Sequence, residues 1–232
     1  MIEIRRGSER GHAQHGWLDS FHSFSFADYY DADHTGFGPL RVINEDRVQP
    51  GQGFGTHSHR DMEIISYVLE GALEHKDSMG TGSVIRPGEI QFMRAGTGVA
   101  HSEFNQSKTD PVHFLQIWIV PAERGLPPAY GQRAVDEAAA RRGFAVLASP
   151  DGREDSLRLR QDVLLLLAKT AAGDRREWAL GPGRHAWVHV ARGTVEVNGN
   201  ALGEGDGAAI SGEAKLTLAG RGDGEVLAFD LA

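Results

Sequence analysis

The chain has 232 residues, of which 40% are hydrophobic and 24% charged, so it can bury a core and does not resemble a disordered protein. Its net charge of -8 gives no reason to expect a nucleic acid or an anionic membrane as a partner. It has no cysteine, which excludes disulfides, thiolate metal sites and thiol nucleophiles and leaves histidine and carboxylate as the strong metal ligands.

The amino terminus becomes polar and charged after four residues, so it lacks the apolar core of a signal peptide. The longest apolar run lies at 163–168 and is bracketed by Asp162 and Lys169, which makes it too short to span a membrane. The sequence therefore favours a cytoplasmic protein.

Short runs rich in Val, Ile, Leu and Phe recur between Gly, Pro, Asn and Asp clusters, a rhythm typical of a β-sandwich or β-barrel. The clearest runs are 40–48, 63–75, 83–93 and 112–120. A helical pattern occurs at 134–143, which is rich in Ala and charged residues and ends at a glycine. The chain is therefore predicted to be all-β with little helix.

Two pairs of polar residues stand out in the first half because each pair has its members two positions apart. His57 and His59 precede an apolar run, and His101 and Glu103 repeat the spacing further along. Residues two apart in a strand point to the same face, so each pair can offer two ligands to one ion. A single pair of this kind is often solvated, whereas two pairs favour a metal site.

The second half repeats the pattern of the first without its ligands. When Gly71 is aligned with Gly193, the positions of the first histidine pair fall on Ala179 and Gly181. A stretch rich in proline and glycine precedes the predicted helix and is typical of a connection between two domains.

We therefore expect a metal-binding domain over 1–130, a linker with a short helix over 131–143, and a degenerate domain without metal over 144–232. A monomer fits this organisation, because two such domains can cover each other's exposed faces.

The motifs around these pairs resemble those of the cupins. The positions that match the first cupin motif are Gly51, His57, His59, Glu63 and Gly71, and those that match the second are Gly98, His101 and Asn105. With the stretches at 10–31 and 36–46 added, the chain resembles the pirin family, and specifically its bacterial quercetinase-like branch. The resemblance implies a bicupin of two jelly-roll β-barrels, with metal in the first barrel alone.

The resemblance also implies which residues hold the metal. Carried over position by position, the ligands are His57, His59, His101 and Glu103. Many other cupins use the glutamate of the first motif, so Glu63 is a rival for the fourth place; we favour Glu103, because it is two residues from His101. The implied metal is Fe(II), although Cu, Ni, Mn, Co and Zn also suit such a nitrogen and oxygen site.

The activity that the resemblance implies is that of a quercetin 2,3-dioxygenase, which cleaves a flavonol ring with O2 and releases carbon monoxide. The substrate would be a small planar aromatic compound, and Glu103 would act as both ligand and general base. Pirins of animals bind transcription regulators, so the alternative is a metal-dependent regulatory or redox-sensing module with a protein partner.

Other residues of the first half are assigned mainly to structure. Seven aromatic residues are available for a flat pocket, and most are expected in the core: Phe24, Phe26, Tyr29, Phe37, Phe54, Phe92 and Phe104. Five histidines outside the two pairs are expected to make structural contacts: His12, His15, His22, His75 and His113.

Overall fold

The computed structural model describes residues 1–232 and contains 22 β-strands, one α-helix and two 3-10 turns. The first eleven strands are β1 (Ile2–Arg5), β2 (Gly11–Gln14), β3 (Leu18–His22), β4 (Leu40–Val48), β5 (Gly53–His59), β6 (Glu63–Glu70), β7 (Leu73–Asp77), β8 (Gly82–Ile85), β9 (Glu89–Arg94), β10 (Val99–Asn105) and β11 (Val112–Ile119). The later strands are β12 (Ala129–Ala134), β13 (Ala145–Ser149), β14 (Leu157–Arg158), β15 (Val163–Thr170), β16 (Arg175–Ala179), β17 (His185–Arg192), β18 (Thr194–Val197), β19 (Asn200–Gly203), β20 (Gly207–Ser211), β21 (Lys215–Gly220) and β22 (Gly224–Leu231). The predicted all-β class is confirmed.

The segment Gly11–Val135 forms one compact unit built from two antiparallel sheets. The larger sheet has the strand order β12-β9-β6-β11-β4-β3-β2, and the smaller has the order β5-β10-β7-β8. The core packs between them, because Val68, Val112 and Phe114 of the larger sheet meet Leu73 and Ile85 of the smaller one. Two facing sheets around one apolar core are the arrangement of a cupin barrel.

The other unit combines Met1–Arg10 with Asp136–Ala232 and repeats this plan. Its larger sheet has the order β1-β20-β17-β22-β15-β13-β14, and its smaller sheet has the order β16-β21-β18-β19. Side chains from the two sheets meet in one buried cluster that includes Leu166, Val188, Val195 and Leu218. The chain therefore contains two barrels of one kind, as the internal repeat predicts.

The compact units differ from the predicted domain ranges at two places. Residues 1–10, which the prediction assigns to the first domain, pack with the second, because β1 pairs with β20 from Ile2 opposite Ile210 to Arg5 opposite Gly207. Residues 129–134, at the start of the predicted linker, form β12 and pair with β9. Alternation of apolar and polar residues identifies such segments as strands but does not tell which sheet edge they join.

The helix α1 spans Glu137–Arg142, inside the predicted range of 134–143. Its amino end is capped by the Asp136 side chain, which accepts a hydrogen bond from the amide of Ala139, and Gly143 follows its last residue. The structure has no helix with the length and apolar character needed to cross a membrane.

Candidate metal centre

The two predicted pairs lie on neighbouring antiparallel strands, β5 and β10. His57 and His101 are directly opposite each other in the register of these strands, and His59 is opposite Val99. The register then shifts, so that Glu103 is opposite Phe54 and β5 has one residue more than β10 over this stretch. Such a bulge twists a strand locally and changes the direction of nearby side chains, and bulges are frequent beside active sites.

Three imidazoles converge at this point. The ring centroids of His57 and His101 are 4.5 Å apart, those of His57 and His59 4.7 Å, and those of His59 and His101 4.9 Å. One nitrogen from each ring lies within 4.8 Å of the other two. Neighbouring ligands of an ion with bonds of about 2.1 Å are about 3.0 to 3.4 Å apart, so the three nitrogens would have to move together by on the order of 1 Å to bind one ion.

Two features show that these rings suit a metal ion. His57 Nδ1 lies 2.8 Å from the carbonyl oxygen of Gly55, which accepts a hydrogen bond from the Nδ1–H group. This tautomer leaves the Nε2 lone pair free for a bond to a metal. His101 is 2% exposed, and neither of its ring nitrogens has a hydrogen-bond partner in the protein. Buried nitrogens without partners are costly unless something else binds them, and a divalent cation would do so.

The surroundings keep two of the rings neutral. Burial, reinforced by the charge of His57, lowers the pKa of His59 to about 4. Burial and then His57, His59 and His75 lower the pKa of His101 to about 3. Metal ligands must be deprotonated, so at neutral pH no proton has to be displaced from these two imidazoles.

Glu103 is held by a pair of residues from the opposite sheet. Ser66 Oγ donates a hydrogen bond to Oε1 at 3.0 Å, and Gln116 Nε2 donates one to Oε2 at 2.7 Å. Ser66 and Gln116 are themselves cross-strand neighbours on β6 and β11. Burial raises the pKa of Glu103, and His75 and these two hydrogen bonds offset part of that rise. The result is an oriented carboxylate that accepts a proton more readily than an exposed one.

The structure separates the two glutamates that compete for the fourth ligand position. Glu103 belongs to a second group of potential ligands, with His75 and His101, whose ligand atoms also lie within 4.8 Å of one another. Glu63 is fully buried elsewhere, 4.0 Å from the guanidinium of Arg94, and lies in neither group. The geometry therefore favours Glu103 over Glu63, and it adds His75 to the neighbourhood.

The histidine cluster opens into a cavity of about 290 Å3. Four aromatic side chains supply most of its apolar wall, namely Trp17, Phe26, Phe54 and Trp118. Trp118 packs edge-on against both Phe26, with centroids 5.4 Å apart, and His59, with centroids 4.8 Å apart. An apolar cavity with a few converging polar groups is the usual form of a small-molecule site.

The remaining sequence-based assignments divide among cavity, core and surface. Of the seven aromatic residues considered, Phe26 and Phe54 line the cavity, and Phe24 and Phe92 are buried in the core. The expectation that most of the seven lie in the core is wrong, because the others are partly or largely exposed, namely Tyr29, Phe37 and Phe104. Among the histidines assigned to structure, His12 and His113 make side-chain pairs with Asp19 and Glu45, and three approach the site: His15 and His22 in the cavity wall and His75 beside His101.

Sequence reasoning missed several polar residues of the site, including Asn44, Asp46, Ser66 and Gln116. Asn44 and Asp46 show the same spacing of two that identified the histidine pairs, so that signal was present in the chain. Ser66 and Gln116 lie within otherwise apolar strands, and only the pairing of β6 with β11 brings them together.

Comparison with known proteins identifies the family and supports the fold. The Pirin family profile matches residues 4–119, and the profile of the quercetinase C-terminal cupin domain matches residues 146–231. The chain belongs to the pirin family. Quercetin 2,3-dioxygenase of Escherichia coli K12 is 48% identical to this pirin over 231 residues, covering 100% of this chain and 99% of the relative.

Two crystal structures of the E. coli pirin YhhW resemble this pirin closely. One has a TM-score of 0.96 at 47% identity and covers 100% of this chain and 98% of YhhW. The other is a complex with nickel(II), with a TM-score of 0.95 at 47% identity and coverage of 100% and 99%. The predicted bicupin fold is therefore confirmed.

Proposed function

We propose that this pirin is a metal-dependent dioxygenase that cleaves the ring of a flavonol-like substrate with O2, incorporates both oxygen atoms and releases carbon monoxide. The observation that carries the proposal is the cluster of three imidazoles at an apolar cavity, with the buried carboxylate of Glu103 beside one of them, His101. The name of the E. coli relative and the nickel bound by YhhW support it.

The proposed ligands are His57, His59, His101 and Glu103. A divalent cation bound there would lower the pKa of a substrate hydroxyl and bring the substrate and O2 to one place. We propose Fe(II) as the native ion; the same donors also accept Ni, Cu, Mn, Co and Zn.

The protein's own groups account for binding and proton transfer. The apolar wall receives a flat aromatic ring and excludes water from it. Glu103 takes the proton of the reacting hydroxyl onto a carboxylate oxygen, since Ser66 and Gln116 each occupy only one of the two acceptor positions of their oxygen. The deprotonated substrate is then electron-rich enough to react with O2.

The test is reconstitution of the metal-free protein under argon with each of the six metals in turn. After quercetin and O2 are admitted, we expect consumption of quercetin, uptake of O2 and release of carbon monoxide in equal amounts, with Fe(II) giving the highest rate. If no metal raises the rate above that of the metal-free protein, the enzymatic proposal is wrong, and a regulatory role for the metal site becomes the better explanation.

A further inference from the structure

One wall of the cavity has a polar strip that the proposed chemistry does not use. It consists of Ser20 and His22 on β3 and of Asn44 and Asp46 on β4. Ser20 is directly opposite Asp46 and His22 is opposite Asn44, so all four side chains lie on one face of the sheet. Each is at most 4% exposed.

The two cross-strand pairs are hydrogen-bonded internally. His22 Nδ1 lies 2.8 Å from Asn44 Oδ1, and the Ser20 hydroxyl donates a short hydrogen bond to Asp46 Oδ1. Burying a polar group costs free energy unless the group forms a hydrogen bond with the protein or with a bound molecule.

Asp46 and Glu103 differ in how many hydrogen bonds their carboxylate oxygens accept from the protein. Both oxygens of Glu103 accept a hydrogen bond from the protein. Ser20 is the one donor to Asp46, so Oδ2 of Asp46 has no protein partner although the residue lines the cavity. An oxygen in this position, at the cavity wall on a residue that is 3% exposed, would accept a hydrogen bond from a bound molecule.

The rest of the cavity wall indicates what kind of molecule would donate this hydrogen bond to Asp46. The cavity wall includes four large aromatic side chains, which favour a planar aromatic ligand, and its volume of about 290 Å3 suits a compound of a few fused or linked rings. Such a ligand can reach the histidine cluster with one polar group and the strip with another.

We propose that Asp46, positioned by Ser20, is a specificity-determining residue that binds a second hydroxyl group of the aromatic substrate, distinct from the hydroxyl at the histidine cluster. The proposal rests on the proposed function for the position of the first hydroxyl. It means that the pocket selects polyhydroxylated aromatic compounds over analogues with only the reacting hydroxyl.

Burial raises the pKa of Asp46 to about 7, with Glu103 and Glu45 adding to the rise and the Ser20 hydrogen bond opposing it. Near neutral pH the carboxyl group can therefore accept or donate a hydrogen bond, which suits a phenolic hydroxyl in either role.

The experiment measures binding rather than turnover. Nickel-loaded protein is titrated under argon with quercetin, which has several ring hydroxyls, and with 3-hydroxyflavone, which has only the hydroxyl of the reacting ring. We expect the wild-type protein to prefer quercetin by about 10-fold or more, the effect of one hydrogen bond to a charged group. In Asp46→Asn this preference should fall at least about fivefold, with the affinity for 3-hydroxyflavone changing much less.

The matched control is Asp19→Asn. Asp19 is an aspartate on the same strand as Ser20, and it pairs with His12 outside the cavity. This variant should keep the wild-type preference. Metal content and far-ultraviolet circular dichroism of all three proteins show whether the metal site and the fold are intact.

Either of two results would overturn this proposal alone. One is an unchanged preference in Asp46→Asn, and the other, which needs no variant, is equal affinity of the wild-type protein for the two compounds. The two proposals can also be distinguished. If the preference for quercetin depends on Asp46 but the protein releases no carbon monoxide with any metal, the binding role is supported and only the dioxygenase proposal is wrong. If neither compound binds, both proposals are wrong.

Discussion

At the scale of single residues, the cavity combines two buried carboxylates with different partners. Glu103 is close to His101 and is held by Ser66 and Gln116, whereas Asp46 is bonded to Ser20. Burial raises the pKa of both groups. In the proposals above these two carboxylates have different roles, Glu103 at the reacting hydroxyl and Asp46 at a second hydroxyl of the substrate.

Replacing Glu103 with Gln tests the assignment of the general base. The amide keeps the shape of the carboxylate but cannot take a proton, so we expect turnover to fall by about 100-fold or more at saturating metal. The measurement is the rate of quercetin consumption together with the metal content of the variant. Full activity with metal retained would show that Glu103 does not accept the proton.

Replacing Asp46 with Asn tests whether burial raises the pKa of Asp46, because a raised pKa makes the free energy of unfolding depend on pH. The folded protein keeps the proton on Asp46 up to about pH 7, whereas an unfolded aspartate loses it near pH 3.8. The folded state therefore holds more protons between these values, and its stability falls as pH rises through them, by on the order of 4 kcal/mol from this group.

Asparagine is neutral at every pH, so Asp46→Asn should gain stability relative to the wild-type protein as pH rises from about 4 to about 8. Urea unfolding of both metal-free proteins over this range gives the difference, in which the titrations of groups that do not interact with Asp46 cancel. A difference that does not change with pH would contradict the burial of an ionisable Asp46.

At the scale of elements, the metal centre depends on how closely β5 and β10 approach each other. Gly53 begins β5, and a Cβ atom there would lie 2.2 Å from the backbone oxygen of Glu103 and 2.5 Å from Cα of Phe104. Those atoms belong to the backbone, which cannot rotate away. The glycine therefore permits the strand spacing that brings His57 opposite His101.

Replacing Gly53 with Ala should push the two strands apart and weaken nickel binding by about 10-fold or more, since the ligands no longer meet at one point. The matched control is Gly55→Ala on the same strand, where a Cβ atom meets nothing within 4 Å. Calorimetric titration of both variants with nickel makes the comparison. Equal affinities would mean that the strand spacing does not limit the site.

At the scale of the whole molecule, the chain forms two barrels whose boundaries do not follow chain order. Residues 1–10 complete the unit made by 136–232, with Ile2 and Ile4 packed against its core. The proposed metal centre lies entirely in the unit formed by 11–135.

Deletion of residues 1–5 should therefore destabilise the second unit and leave the first unchanged. Removing β1 exposes the edge of β20, so we expect faster hydrogen exchange for the amides of 207–211, while those of β5 and β10 keep their protection. Nickel affinity should match that of the full chain. Faster exchange confined to 53–59 and 99–105 would contradict this division of the molecule.

Much of the fold could be predicted from the sequence because it depends on local pattern. Alternating apolar residues between turn-forming glycines predict strands, and the recurrence of this pattern around Gly71 and Gly193 predicts two barrels. Spacing of two within one strand likewise places His57 beside His59 and His101 beside Glu103, because adjacent side chains of a strand alternate in direction.

Only the tertiary structure decides which strands become neighbours, since pairing depends on contacts between distant parts of the chain. This pairing separates Glu63 from the histidines and brings Ser66 and Gln116 onto Glu103. It also brings His75 beside His101 and joins Ser20 to Asp46. The ligand candidates and the barrels that carry them follow from local sequence pattern. The surroundings that set the pKa of those ligands and shape the cavity arise from strand register and packing.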